Sequence, residues 1–283
     1  MEPEKGQFLR WLHRDGGSRW GTDPGAYDPC AVAETVRSFG NLFGDGRYFP
    51  LEVTGWEHVP PAPAMFVCNH SGGTTIPDVW GLGVAWYRHF GVERPLHPMA
   101  HEMVLSTALT GPYFSRRGVL RGGRAIANRV LVEYRRDLLV LPGGDLDTWR
   151  PYSKRWDVVF GGRIGYARIA IATGVPIVPI AHAGAHETLV VLTTGRRIAR
   201  ALRLPQIARA EIFPIHLSLP WGLTVGPFPH LPIPTRLRYR IGAPIAPPDA
   251  SPDDDEAVRT LDARVRAAVQ SQLDELRATR HKR

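Results

Sequence analysis

Three short apolar runs, each passing without a break into a polar or glycine-rich segment, constrain this chain most. They lie at 64–68, 138–141 and 175–181, and the segments beyond them are 69–73, 142–145 and 182–187. Apolar runs of this length, bounded by turn residues, suit strands buried on both faces. Around them the spacing turns helical, at 78–90, 101–110, 124–136 and 162–173. Strands alternating with helices predict an α/β fold: one domain with a mostly parallel central sheet flanked by helices. Such sheets carry ligands in the loops beyond the carboxyl ends of their strands. The three polar segments are therefore expected to converge on one site.

The flanks complete this organisation. Residues 1–47 read as an N-terminal helical appendage, with Val32, Val36, Phe39 and Phe43 at helical spacing. A strand is expected at 48–56, at the start of an α/β domain over 48–248. Residues 249–283 read as a C-terminal amphipathic helix packed on that domain. Its apolar stripe is Val258, Leu261, Val265, Val269, Leu273 and Leu276, with Ser251 as cap and Pro252 in the first turn.

Composition excludes several classes. With 283 residues and 43% hydrophobic content the chain can bury a large core, and disorder throughout is ruled out. Two cysteines, Cys30 and Cys68, cannot make a disulfide scaffold, and a reducing compartment is expected. The longest apolar stretch, 169–185, is broken by Pro176, Pro179 and His182, so no spanning helix is expected. The first residues lack the basic-then-apolar layout of a secretory signal. The formal charge is +8, almost all of it arginine, since lysine occurs only at 5, 154 and 282. Such a balance fits an anionic membrane face or a phosphate-bearing substrate. Without a zinc-finger spacing, an RNA-recognition signature or a long basic tract, no nucleic-acid partner is expected.

Two segments could touch lipid. Phe8, Leu9, Trp11 and Leu12, with Arg10 and Arg14, could lie in a membrane interface as a short amphipathic helix. Residues 211–234 are apolar, proline-rich and poor in charge. They read either as a loop packed on the core or as an exposed apolar lip.

The densest polar cluster is Asn69-His70-Ser71-Gly72-Gly73, followed by Asp78. A histidine just past a buried strand is placed to act as a general base. An aspartate within reach can accept its second ring N–H and fix the tautomer. No G-x-S-x-G elbow is present, so a covalent hydrolase is not signalled. Arg116 and Arg117, after Gly111, could grip phosphate through bidentate forks. Gly143 and Gly144, with Asp145, allow a backbone to approach a ligand closely. His182, His186 and Glu187 carry no H-E-x-x-H spacing, and no metal is expected there.

In this order the four elements resemble the phospholipid/glycerol acyltransferase family, the lysophospholipid acyltransferase superfamily. Residues 69–78 are similar to its His–Asp motif. Gly111, Phe114 and Arg117 match G-x-x-F-x-x-R, Leu141-Pro142-Gly143-Gly144 stands where P-E-G-T is usual, and Val175-Pro176-Ile177-Val178-Pro179 matches V-P-I-x-P. Two departures stand out. Seven residues separate His70 from Asp78 where four are usual, and Gly143 replaces the motif glutamate, as in the diacylglycerol and monoacylglycerol acyltransferase branch. The resemblance implies an acyl-CoA-dependent O-acyltransferase of glycerolipid metabolism, with His70 and Asp78 catalytic. Asn69, Ser71, Arg116, Arg117, Gly143, Gly144, Asp145 and Glu187 would bind substrates. No cofactor is implied beyond acyl-CoA as co-substrate. A neutral lipid alcohol such as diacylglycerol is the favoured acceptor, with lysophosphatidate acylation or non-catalytic acyl-CoA binding as alternatives. The implied location is cytoplasmic, peripheral to the inner face of the cell membrane.

Overall fold

The computed structural model describes residues 20–207 and 211–280. The amphipathic segment expected at 8–14 and the last three residues of the basic tail lie outside the described residues. The strands are β1 (Leu51–Thr54), β2 (Met65–Cys68), β3 (Leu96–Ala100), β4 (Leu120–Arg121), β5 (Asp137–Val140), β6 (Ile177–Ala183), β7 (Val190–Thr193), β8 (Ile215–Ser218), β9 (Gly222–Val225) and β10 (Leu237–Ile241). The α-helices are α1 (Pro29–Ser38), α2 (Pro77–Phe90), α3 (Thr110–Arg116), α4 (Arg124–Asn128), α5 (Gly144–Thr148), α6 (Gly165–Thr173), α7 (Arg196–Ala201), α8 (Leu204–Ile207) and α9 (Asp255–Ala278).

Seven strands form the central sheet, in the order β1-β10-β6-β2-β5-β3-β4. Every neighbouring pair is parallel except β10 with β6. The architecture is the expected α/β one, a mostly parallel sheet with helices on both faces and a long C-terminal helix.

β2 lies at the centre, and all four of its residues are buried. The two-residue period of a strand divides them between two cores. Met65 and Val67 join Leu138, Ile177 and the α9 stripe of Val258, Leu261, Val265, Val269, Leu273 and Leu276 on one face. Phe66 and Cys68 join Leu82 and Trp86 of α2 and Tyr239 of β10 on the other. The ends of β2 and β6 are thereby held between two packed layers.

Several local expectations are corrected. The cap of α9 is Asp254, whose carboxylate accepts from the N–H groups of Glu256 and Ala257, whereas the Ser251 hydroxyl accepts from the Asp253 N–H. Of three acids in a row, the one with free backbone donors two and three residues ahead takes the cap. The helix expected over 101–110 is a short 3-10 turn, Glu102–Leu105, and α3 begins at Thr110. Gly111 and Phe114 of G-x-x-F-x-x-R therefore sit on a helix, and Arg117 is its C-cap. β3, with its Pro98, carries no alternation that would mark it as a strand. Residues 211–234 contribute β8 and β9, which join β7 in a separate antiparallel sheet.

Candidate active site

β2 delivers His70 two residues beyond its last strand position, and α2 delivers Asp78 in its first turn. The interval between them is taken up by a 3-10 turn, Gly73–Thr75, and by Ile76 at φ 41°. A β-branched residue in the left-handed region is strained. Here it turns the chain so that α2 starts at Pro77 and Asp78 points back. This absorbs the three extra residues between the two motif positions. His70 Nδ1 lies 2.6 Å from Asp78 Oδ2, which also accepts the Ser71 N–H at 2.9 Å. Tyr239 donates to the Asp78 carbonyl at 2.8 Å and fixes the same turn.

The His70 side chain keeps 13% of its surface exposed, while that of Asp78 keeps 2%. With Nδ1 committed to Asp78, no described protein group hydrogen-bonds Nε2. Burial works against a charged imidazole, but the Asp78 carboxylate outweighs it and raises the His70 pKa above its ordinary value. Asp78 is likewise held below the usual carboxylate range: burial opposes its charge, and the facing imidazole more than compensates. A carboxylate at the start of a 14-residue helix also meets a favourable dipole.

The other expected residues divide into two groups. Asn69 and Ser71 are part of this cluster. Asn69 exchanges two hydrogen bonds with the His182 backbone, Nδ2 to O at 2.9 Å and N to Oδ1 at 2.7 Å. It continues the β2–β6 ladder by one rung with its side chain, and its amide is consumed there rather than offered to a substrate. Ser71 Oγ meets His182 Nε2 at 2.8 Å. Burial pushes the His182 pKa down to about 4, so that ring stays neutral at physiological pH. A cavity of about 10 Å³, room for a single water, lies behind this pair, with Arg150, His186 and Glu187 in its wall.

The arginine pair and the turn after β5 are engaged elsewhere. Arg116 pairs with Asp28, the cap of α1. Arg117 donates to Thr35 Oγ1 and the Tyr113 carbonyl and stacks on the Tyr113 ring. The Gly144 N–H donates to Leu141 within the turn, and Asp145 pairs with Arg163. Glu187 pairs with Arg280 and accepts from Thr235. Among the described residues, no group of three His, Cys, Asp or Glu side chains could hold a metal ion.

The cluster holds two further residues that no sequence motif marks. Asp147 Oδ2 accepts the His70 N–H at 2.6 Å, and Arg150 Nη1 donates to the His70 carbonyl at 2.7 Å. The two pair with each other at 2.6 Å and are 2% exposed or less. Their i, i+3 spacing just after the glycine turn was the available signal.

Residues 50–183, from the residue before β1 through the end of β6, match the family described as Acyltransferase. Over this stretch, a little under half of the chain, the likeness is to the acyltransferase family. An uncharacterized protein of Mycobacterium tuberculosis is 29% identical over 266 residues, covering 92% of this chain and 71% of its own length. A chicken (Gallus gallus) protein described as a DGAT1/2-independent enzyme synthesizing storage lipids is 25% identical over 176 residues, covering 61% of this chain and 51% of its own. The crystal structure of the 1-acyl-sn-glycerophosphate (LPA) acyltransferase PlsC from Thermotoga maritima matches with a TM-score of 0.51 at 18% identity, covering 88% of this chain and 80% of that one. At that identity the likeness speaks for the acyltransferase fold and leaves the substrate open.

Proposed function

We propose that this acyltransferase-family chain is an acyl-CoA-dependent O-acyltransferase that acts on a lipid alcohol, with His70 as general base. The observation that carries the reading is the His70–Asp78 contact at 2.6 Å with the imidazole reaching the surface. Nε2 takes the proton of the acceptor hydroxyl as its oxygen attacks the thioester carbonyl. The tetrahedral intermediate collapses, the ester forms, and the imidazolium returns the proton to the departing thiolate. Asp78 stabilises the charged ring in between. The N–H groups of Ser71 and Gly144 are already spent, so the developing oxyanion is assigned to Gly72 and Gly73, at φ 104° and 63°.

A neutral acceptor such as diacylglycerol is favoured over lysophosphatidate because Arg116 and Arg117 are tied to α1 and Tyr113 and are not gathered at His70. A groove of about 530 Å³ beside the small cavity, shared through Arg155 and Trp156 and also lined by Arg277, Arg280, Asp157 and Asp274, is assigned to the phosphorylated end of the donor.

Contact with a membrane is assigned to the β7–β8–β9 sheet and its loops. Leu219, Trp221, Leu223, Phe228 and Leu231 are each more than half exposed, and such a patch on a protein surface marks an interaction site. Thr74 donates to Pro227 and Thr75 meets His230, so this lip hangs from the loop that follows His70. Exposed Arg197 and Arg200 of α7 suit an anionic bilayer. The assigned contact is peripheral, on the cytoplasmic face; no described helix is long and apolar enough to cross a membrane.

The test is mass spectrometry of lipids formed from labelled palmitoyl-CoA, with diacylglycerol and lysophosphatidate supplied side by side. Wild type is expected to label the diacylglycerol product, and His70→Ala to lose roughly 10²–10⁴-fold in rate. A His70→Ala rate close to wild type refutes the base assignment. Preference for lysophosphatidate refutes only the acceptor.

A further inference from the structure

We infer that Asp147 and Arg150 form a positioning clamp that holds the catalytic histidine by its own peptide groups. The inference rests on the reading of His70 as the base. His70 lies beyond the sheet ladder, where no neighbouring strand fixes its backbone. Its N–H and C=O are instead taken up by one buried ion pair: the N–H by Asp147 Oδ2 at 2.6 Å, the C=O by Arg150 Nη1 at 2.7 Å. The pair is closed at 2.6 Å through Asp147 Oδ1 and is almost fully buried. Both members are anchored in turn. Asp147 Oδ1 accepts from the Val159 N–H, and Arg150 donates to the carbonyls of Lys154 and Arg155. The peptide of His70 is thus bolted to the α5 turn on one side of the ring, while Asp78 orients the ring from the other.

The clamp also explains Gly143. A Cβ built there would collide with the Val159 carbonyl oxygen and with the Asp147 side chain. The space a motif glutamate would need is occupied by Asp147, turned toward His70. Gly143 is therefore the residue that admits the clamp, and its lack of a side chain need not be read as a change in acceptor recognition alone.

Charge and geometry separate within the pair. Burial pushes the Asp147 carboxyl above its ordinary range while Arg150 pulls it back; as a carboxylate it favours the protonated imidazole, and Arg150 favours the neutral ring. The experiment compares Asp147→Asn and Arg150→Lys with wild type and His70→Ala. It reads thiol release from palmitoyl-CoA on the lipid alcohol that wild type uses, and the His70 ring titration by NMR of histidine-labelled protein. His70→Ala identifies the signal. Both variants should lose about 10–10²-fold in kcat with the donor KM within twofold, as expected when a reacting group is misplaced by a fraction of an ångström. Asp147→Asn should also move the His70 titration to lower pH, because it removes the anion and leaves the Arg150 cation in place. Arg150→Lys keeps the charge and should leave the titration where it is.

A folded Asp147→Asn with unmoved titration, or a folded Arg150→Lys with wild-type kcat, overturns the clamp. If Asp147→Asn does not fold, the kcat of Arg150→Lys decides. The NMR readout needs no turnover, so failure of the clamp is distinguishable from failure of the enzymatic reading, which His70→Ala tests alone.

Discussion

The base and the tip of the loop that runs from His70 to Asp78 could hardly differ more. At the base, Ser71, Asp78, Asp147, Arg150 and His182 are buried around a His70 that keeps only one side of its ring exposed, and their polar atoms largely serve one another. At the tip, Thr74 and Thr75 tether a lip whose leucines, Trp221 and Phe228 face outward with little packed on them. Low dielectric strengthens every interaction in the first region and makes each lost partner costly. The second has little internal packing to lose. Chemistry that needs atoms held to tenths of an ångström sits in the first, and contact with a fluid lipid surface suits the second.

If that division is right, the two regions should fail independently. His70→Ala is the largest expected effect, roughly 10²–10⁴-fold in turnover, with co-sedimentation on anionic vesicles unchanged. The lip should give the mirror image. Leu223 and Leu231 are 65% and 60% exposed, so replacing both with serine leaves the core intact. Each leucine already has part of its surface covered, so its transfer to lipid contributes about 1 kcal/mol rather than the full 1.5–3. Vesicle partitioning should then fall roughly tenfold to a hundredfold, while turnover of a short-chain, water-soluble alcohol stays near wild type. A lip variant that loses soluble turnover as well would mean the two regions are one.

The next effect is a displacement along the pH axis. The base must be neutral to accept a proton, and Asp78 raises the His70 pKa above its ordinary value of 6.5. As pH falls through that raised value the neutral form is lost. The acidic limb of kcat should therefore have its midpoint above 6.5. Asp78→Asn should move it to lower pH while reducing the plateau. A limb at or below the ordinary imidazole value in wild type would show that His70 and Asp78 are not coupled during turnover.

The sequence made the strand–helix alternation and the His–Asp pair legible because both are local. An apolar run, a turn and a motif can each be read within about ten residues. The sheet order could not be read, since β10 enters beside β6 from far along the chain and antiparallel to it. Nor could the fates of Asn69, Arg116 and Arg117. Each has the chemistry of a ligand-binding group, but its partners, the His182 backbone, Asp28 and Thr35, are 113, 88 and 82 residues away. Asp147 and Arg150 were hidden for the opposite reason. An i, i+3 ion pair at the end of a short helix is a common surface feature, and only the fold reveals that this one is buried under His70.

The smallest expected effect tests how the polar region is built. Ser71 touches the catalytic pair through its backbone N–H, which donates to Asp78, and touches His182 through its hydroxyl. Ser71→Ala keeps the first contact and removes the second. His182 Nδ1 already has no partner, so the variant would leave the neutral, buried imidazole without any ring hydrogen bond to protein. An unsatisfied buried group costs about 1–3 kcal/mol, and chains of this general size lose roughly 2–4 °C of Tm per kcal/mol. Ser71→Ala should therefore melt a few degrees lower while retaining kcat within about threefold and keeping the acidic limb in place. A large fall in kcat with an unchanged melting temperature would show instead that the hydroxyl itself meets the substrate, and His182 would then belong to the reacting groups and not to their support.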